Sequence, residues 1–130
     1  MIASIIGISA GIFIILLFTI LKKYDKPLVY GLILTGIGFI YIGFTWTDLT
    51  SLIITCVQAL AFLAIAYFGT KKSLQILGVG YVLHGCWDIA YGFFDNPGLI
   101  PPDYDIFCLS IDLVMGIYLF VFARKIKSSR

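Results

Sequence analysis

Residues 73–94, SLQILGVGYVLHGCWDIAYGFF, decide how many times this chain crosses a membrane. The stretch is long enough for a hydrocarbon core of about 30 Å, which takes about 20 mostly apolar residues. It nevertheless carries His84 and Asp88, four apart, where a lipid-facing helix should carry neither. An aspartate near the bilayer centre costs about 2.5–3.5 kcal/mol on insertion scales. Either the segment is not a span, or these side chains face an interior that compensates them.

The rest of the chain favours the second choice. Four further apolar runs, about 2–21, 28–45, 50–69 and 105–123, are separated by KKYDKP, TDLT, TKK and DNPGLIPPDYD. These separators supply the Pro, Gly, Asp and Asn of turns and are too short for extramembrane domains. If 73–94 spans, all 9 basic residues fall on one side: Lys22, Lys23, Lys26, Lys71, Lys72, Arg124, Lys125, Lys127 and Arg130. The other side holds Asp48, Asp95, Asp103 and Asp105 and no basic residue. Because basic residues in short loops stay cytoplasmic, the predicted topology has the N-terminus outside and the C-terminus inside. A four-helix reading would strand one lysine cluster on the wrong face. The first run lacks a positively charged leader and is too long for a signal-peptide core, so it reads as a retained helix.

Composition agrees. The chain is 61% hydrophobic and 12% charged, with a mean hydropathy of +1.05, far from a soluble domain. A formal charge of +2, with its basic residues in short clusters between apolar runs, argues against a nucleic-acid partner. Cys56, Cys86 and Cys108 all lie within apolar runs and form no CxxC pair, so they say little about redox compartment. The fold class is therefore an all-α, five-span membrane bundle, a single domain over 1–130, in a cell membrane, most simply a bacterial inner membrane. Its expected partners are the lipid bilayer and further copies of itself. Phe44, Trp46, Phe93, Phe94 and Tyr104 are expected at the outer interface, with Tyr24, Tyr67, Phe68 and Phe122 at the inner one.

Small residues predict the packing, since helices in lipid associate by close approach. Ala3, Gly7 and Gly11 make a stripe on the first helix, and Gly78, Gly85 and Gly92 leave a smooth strip on the fourth. A bundle of five such helices is small enough for each to touch the centre.

At about 100° per residue, Tyr81, His84, Asp88, Tyr91 and Asp95 share one arc of the fourth helix, and Cys86 points away from it. On the fifth, Tyr104, Asp105, Cys108, Asp112 and Met115 share another. At a rise of about 1.5 Å per residue, Asp88 and His84 lie roughly 9 and 15 Å below Phe94, and Cys108 and Asp112 roughly 6 and 12 Å below Tyr104. The two i,i+4 pairs thus meet at overlapping depths. Imidazole, carboxylate and thiolate suit zinc or another borderline-soft divalent metal better than magnesium or calcium, which makes His84, Asp88, Cys108 and Asp112 a candidate metal set. Tyr81, Trp87 and Tyr91 complete a candidate ligand or proton site. Three other readings stay open: a proton relay, a membrane-embedded enzyme acting on a lipid or isoprenoid with His84 and an aspartate as acid and base, and a hydrogen-bonded structural core. No HExxH, GxSxG, Walker or dinucleotide signature occurs. Gln58 is expected to hydrogen-bond across a helix interface or to reach the same site, and Tyr41 and Thr45 to anchor the interface or line an access route. Asp103 and Asp105, with Asp95, give the outer mouth a negative rim that attracts cations.

GVGYVLHGCWDIAYGFF and the later FCLSIDLVMGIYL resemble small multi-spanning bacterial membrane proteins grouped only as a family of unknown function. The resemblance covers the last two helices and implies that His84, Trp87, Asp88, Cys108 and Asp112 are a shared polar set. It brings no established activity.

Overall fold

A computed structural model describes residues 2–21, 23, 25–94 and 99–128. Five helices follow in order: α1 (Ile2–Ile20), α2 (Lys26–Thr45), α3 (Leu49–Lys72), α4 (Leu74–Phe94) and α5 (Tyr104–Ser128). There is no strand among the described residues. The expectations placed on Lys22, Tyr24, Asp95, Asn96 and Arg130, and on the side chains of Phe94 and Lys127, lie outside the described residues.

The boundaries follow from local chemistry. Pro27 sits in the first turn of α2, where its missing N–H is no loss. Asp48 caps α3 by accepting from the Ser51 N–H at 3.0 Å, satisfying a donor that the first turn leaves free. Asp103, at φ 62°, turns the chain into α5 in a conformation that Asp tolerates better than most side chains. α5 begins one residue before the expected 105 and runs beyond 123 to Ser128, because Ala, Arg and Lys propagate a helix well.

Consecutive helices run antiparallel and pack as α2 on α3, α3 on α4, α4 on α5 and α1 on α5, with α4 also touching α2. One end of the bundle carries Asp48, Asp103 and Asp105, and the other carries the lysines with Asp25. At the basic end Lys26 Nζ donates to the Tyr118 hydroxyl and lies 4.1 Å over the Phe122 ring. Lys71 and Lys72 cover Tyr67 and Phe68 in the same way. Basic ends and aromatic rings therefore share one level, as expected.

Two members of each glycine stripe are contact points, whereas Gly92 meets nothing closer than Asp105 Oδ2 at 4.0 Å and leaves the α4 strip open at that end. A Cβ on Gly7 would lie 2.5 Å from the Phe107 carbonyl oxygen, and one on Gly11 would lie 3.0 Å from a Val114 methyl. Gly78 and Gly85 face Gly116 and Leu109 in the same manner, which brings the α4 and α5 backbones close. The expectation that every helix touches the centre is corrected by α1. It buries only Gly7 and Gly11 and reaches the core through Ile14 alone. With no side chain that needs an interior, α1 gains nothing by displacing α4 from the other face of α5.

The apolar core, built by Tyr30, Leu34, Phe62, Leu77, Tyr81 and Met115 with their neighbours, lies between the basic end and the middle of the bundle. Four helices, α1, α2, α3 and α5 over Tyr104–Ile126, are long and apolar enough to cross a membrane. α4 is not among them. Gln75, His84 and Asp88 dilute its apolar content, and α4 is the helix most enclosed by the others: His84 and Asp88 are 0% and 1% exposed.

Candidate cation site

α4 and α5 present their polar stripes to each other at mid-depth. His84, Asp88, Cys108 and Asp112 are all buried, and each offers a ligand atom within 4.8 Å of the others. His84 Nδ1 lies 2.8 Å from Asp112 Oδ2 and 3.4 Å from Asp88 Oδ2. Facing two carboxylates, Nδ1 carries the hydrogen and donates it to Asp112, the nearer acceptor. Cys108 Sγ lies 3.7 Å from the Tyr104 hydroxyl. The convergence follows from packing. Gly85 lets α5 approach so closely that the Asp112 Cβ would be 3.5 Å from a Cβ there, and the i,i+4 spacing then brings His84 and Asp88 to the same pair of turns.

α2 and α3 close the site with rings. Phe62 packs edge-on against the His84 imidazole at 4.9 Å. Tyr41, fully buried, lies 6.3 Å from His84 and 5.3 Å from the Tyr91 ring. The Trp87 ring lies tilted against Tyr91 at 5.4 Å and edge-on to Tyr41 at 6.4 Å. Water is thus excluded on the α2 and α3 sides.

The charge and hydrogen-bond balance is incomplete. One imidazole faces two carboxylates and a thiol, and the nearest lysines belong to the end of the bundle. His84 Nε2, both oxygens of Asp88 and Asp112 Oδ1 are buried without a hydrogen-bond partner among the described residues. Native interiors leave few buried polar atoms unpaired, and each one calls for a water, an ion or a functional reason. Asp88 Oδ2 stands 3.4 Å from His84 Nδ1, which leaves Asp88 Oδ1 and Asp112 Oδ1 as carboxylate oxygens still open to a cation. In a tetrahedral zinc site with bonds of about 2.0–2.3 Å, neighbouring donors stand roughly 3.3–3.8 Å apart, so an ion would draw together donors that now stand up to 4.8 Å apart.

Among the predicted residues, Tyr91 borders the same cavity as Asp88, while Trp87 packs against the apolar core and lines the groove between α3 and α4. Tyr81 does not join the cluster. Its hydroxyl donates to the Tyr30 carbonyl at 2.6 Å, one turn toward the basic end, where it belongs to the apolar core. Gln58 takes the cross-helix role, donating from Nε2 to the Gly38 carbonyl at 2.7 Å. Thr45 pairs with Thr55 at 2.7 Å and stays with α2 and α3. Cys86 is exposed on the outer face of α4, away from the cluster, while Cys108 is buried in it. Tyr41, expected to anchor the interface or to line an access route, is fully buried beside His84, because the α2–α4 contact turns it inward.

No curated protein and no solved structure matches the chain. Residues 2–125 match the family described as "Family of unknown function (DUF6010)", which extends the likeness carried by the last two helices to nearly the whole chain. The five-helix protein with its buried His, Cys and paired Asp is a member of that family of unknown function.

Proposed function

We propose that this is an integral membrane protein, crossing a bacterial inner membrane five times with its N-terminus outside, that binds a divalent transition metal ion of the zinc class among His84, Asp88, Cys108 and Asp112. The observation that carries the reading is that His84, Asp88, Cys108 and Asp112 are all buried and each offers a ligand atom within 4.8 Å of the others. A bound cation satisfies the carboxylates at once, and the mixture of one sulfur, one nitrogen and two oxygens suits zinc, cobalt or nickel better than magnesium or calcium.

A proton in place of the metal is the second reading, favoured by the 2.8 and 3.4 Å contacts that place His84 Nδ1 between two carboxylates. Proton flux into liposomes that disappears in Asp112→Asn supports it, and unchanged flux removes it. The lipid-enzyme reading has less behind it. An apolar groove of about 600 Å³ opens between α3 and α4, but Phe62 and Trp87 line it, so a chain lying there meets rings before the imidazole.

The test of the leading reading is metal analysis of the purified protein after growth with and without added zinc. One ion per chain in the wild type, lost in Asp88→Asn and Cys108→Ser, supports it. Wild-type protein without metal after supplementation sinks it.

A further inference from the structure

Toward the acidic end of the bundle, Asp88 borders a second space beside the cluster. A cavity of about 150 Å³ lies there, with Asp88 at its floor, Tyr41 and Tyr91 as walls, and Ile100 and Pro101 as its roof. Asp105 and Gly92 complete the lining. At about 30 Å³ per water, the space takes roughly five water molecules, enough for a small ion that keeps part of its hydration shell.

We propose that this cavity is a second, oxygen-only cation station, which receives a partly hydrated divalent ion from the outer face and hands it to the His/Cys/Asp cluster through Asp88. The proposal rests on the metal reading of the cluster. Three features carry it beyond that reading. Asp88 belongs to both spaces: it is 1% exposed, lines the cavity, and stands 3.4 Å from His84 Nδ1 through Oδ2, while its Oδ1 is buried with no hydrogen-bond partner among the described residues. Asp105 turns one oxygen to the Ile106 N–H at 2.8 Å, while its Oδ2 lies 4.0 Å from where a Cβ on Gly92 would stand, so it faces the opening that this glycine leaves. Asp105, Cys108 and Asp112 then descend one face of α5 at i, i+3 and i+7, in steps of about 4.5 and 6 Å.

The order of donors gives the arrangement a logic. Carboxylate and phenol oxygens hold a hard, hydrated cation loosely and without demanding geometry. The imidazole and thiol below retain only ions that accept softer donors. The first station raises the local concentration of cations in general, and the second selects among them.

Two measurements on the full chain in liposomes test this. In the first, zinc loading is followed by stopped flow. Asp105→Asn, and separately Gly92→Leu, which fills the opening, are expected to slow loading about tenfold or more, as loss of steering into a charged cleft does, while the final zinc content stays at one per chain. Unchanged loading rates overturn the proposal. In the second, Cys108 is left as the single thiol by Cys56→Ser and Cys86→Ala, and a charged, membrane-impermeant thiol reagent is added from one side at a time. Labelling from the acidic side that Gly92→Leu suppresses supports the route, and equal labelling with Leu at 92, or labelling from the basic side only, overturns it. The thiol measurement needs no metal, so failure of the metal reading and failure of the route are read separately.

Discussion

Asp88→Asn separates a cation site from a structural core more sharply than any other single change. In the metal-free protein Asp88 lies 3.4 Å from His84 Nδ1 and within 4.8 Å of the Asp112 ligand oxygen. At an effective dielectric constant of about 20, attraction to an imidazolium at that distance amounts to about 5 kcal/mol and repulsion from a second carboxylate to about 3.5 kcal/mol. The two nearly cancel. What remains is the desolvation of a buried carboxylate, several kcal/mol. Asn keeps the shape and removes the charge, at a cost of about 1–3 kcal/mol for its own unpaired amide. The expected net effect is stabilisation of the chelator-treated protein by about 1–2 kcal/mol, with loss of metal binding. Thermal unfolding in detergent after chelation measures the first, and zinc titration of the same sample the second. Such a trade of stability for function is common where a site holds like charges together. A destabilised Asp88→Asn protein with unchanged zinc content would refute the reasoning and make Asp88 a structural hydrogen-bonding group.

Other outcomes follow from the same geometry. Gly7→Ala pushes a methyl against the Phe107 carbonyl and is expected to cost about 1–3 kcal/mol by overpacking, seen as a lowered Tm; zinc content should not change, because α1 takes no part in the cluster. Cys86→Ala should leave zinc affinity as it is, whereas Cys108→Ser should weaken it and abolish the thiolate-to-metal charge-transfer band of the cobalt-loaded protein. Zinc binding should release a proton, since the Cys108 thiol binds as the thiolate, so affinity should fall as pH is lowered; a pH-independent affinity in titration calorimetry would contradict this. A reporter fused after Arg130 should be active only in the cytoplasm, and external activity would reverse the topology.

Much of the architecture was legible in the residues because two signals acted together. Apolar runs of spanning length, ended by Lys, Asp, Pro and Asn, set the helices, and His84–Asp88 and Cys108–Asp112 at i,i+4 marked the faces of α4 and α5 that must meet. Gly7, Gly11, Gly78 and Gly85 were readable as contact points because a missing Cβ matters only where another backbone comes close. Periodicity tells which face a residue occupies and not which neighbour stands opposite. Tyr81 therefore shares an arc with His84 and still gives its hydroxyl to Tyr30 on α2, and Tyr41 enters the site only because α2 lies against α4. The peripheral place of α1 was hidden for a related reason: its sequence is apolar all round, and an all-apolar helix meets lipid and protein on equal terms.

The central claim is that one ion sits among His84, Asp88, Cys108 and Asp112. X-ray absorption at the zinc edge, on protein purified after growth with zinc, tests it most directly. The arrangement predicts one zinc per chain with a single sulfur at about 2.3 Å and the remaining nitrogen and oxygen donors at about 2.0–2.2 Å, the sulfur contribution vanishing in Cys108→Ser and persisting in Cys86→Ala. A zinc shell without sulfur in the wild type, or protein that holds no zinc at all, would contradict it.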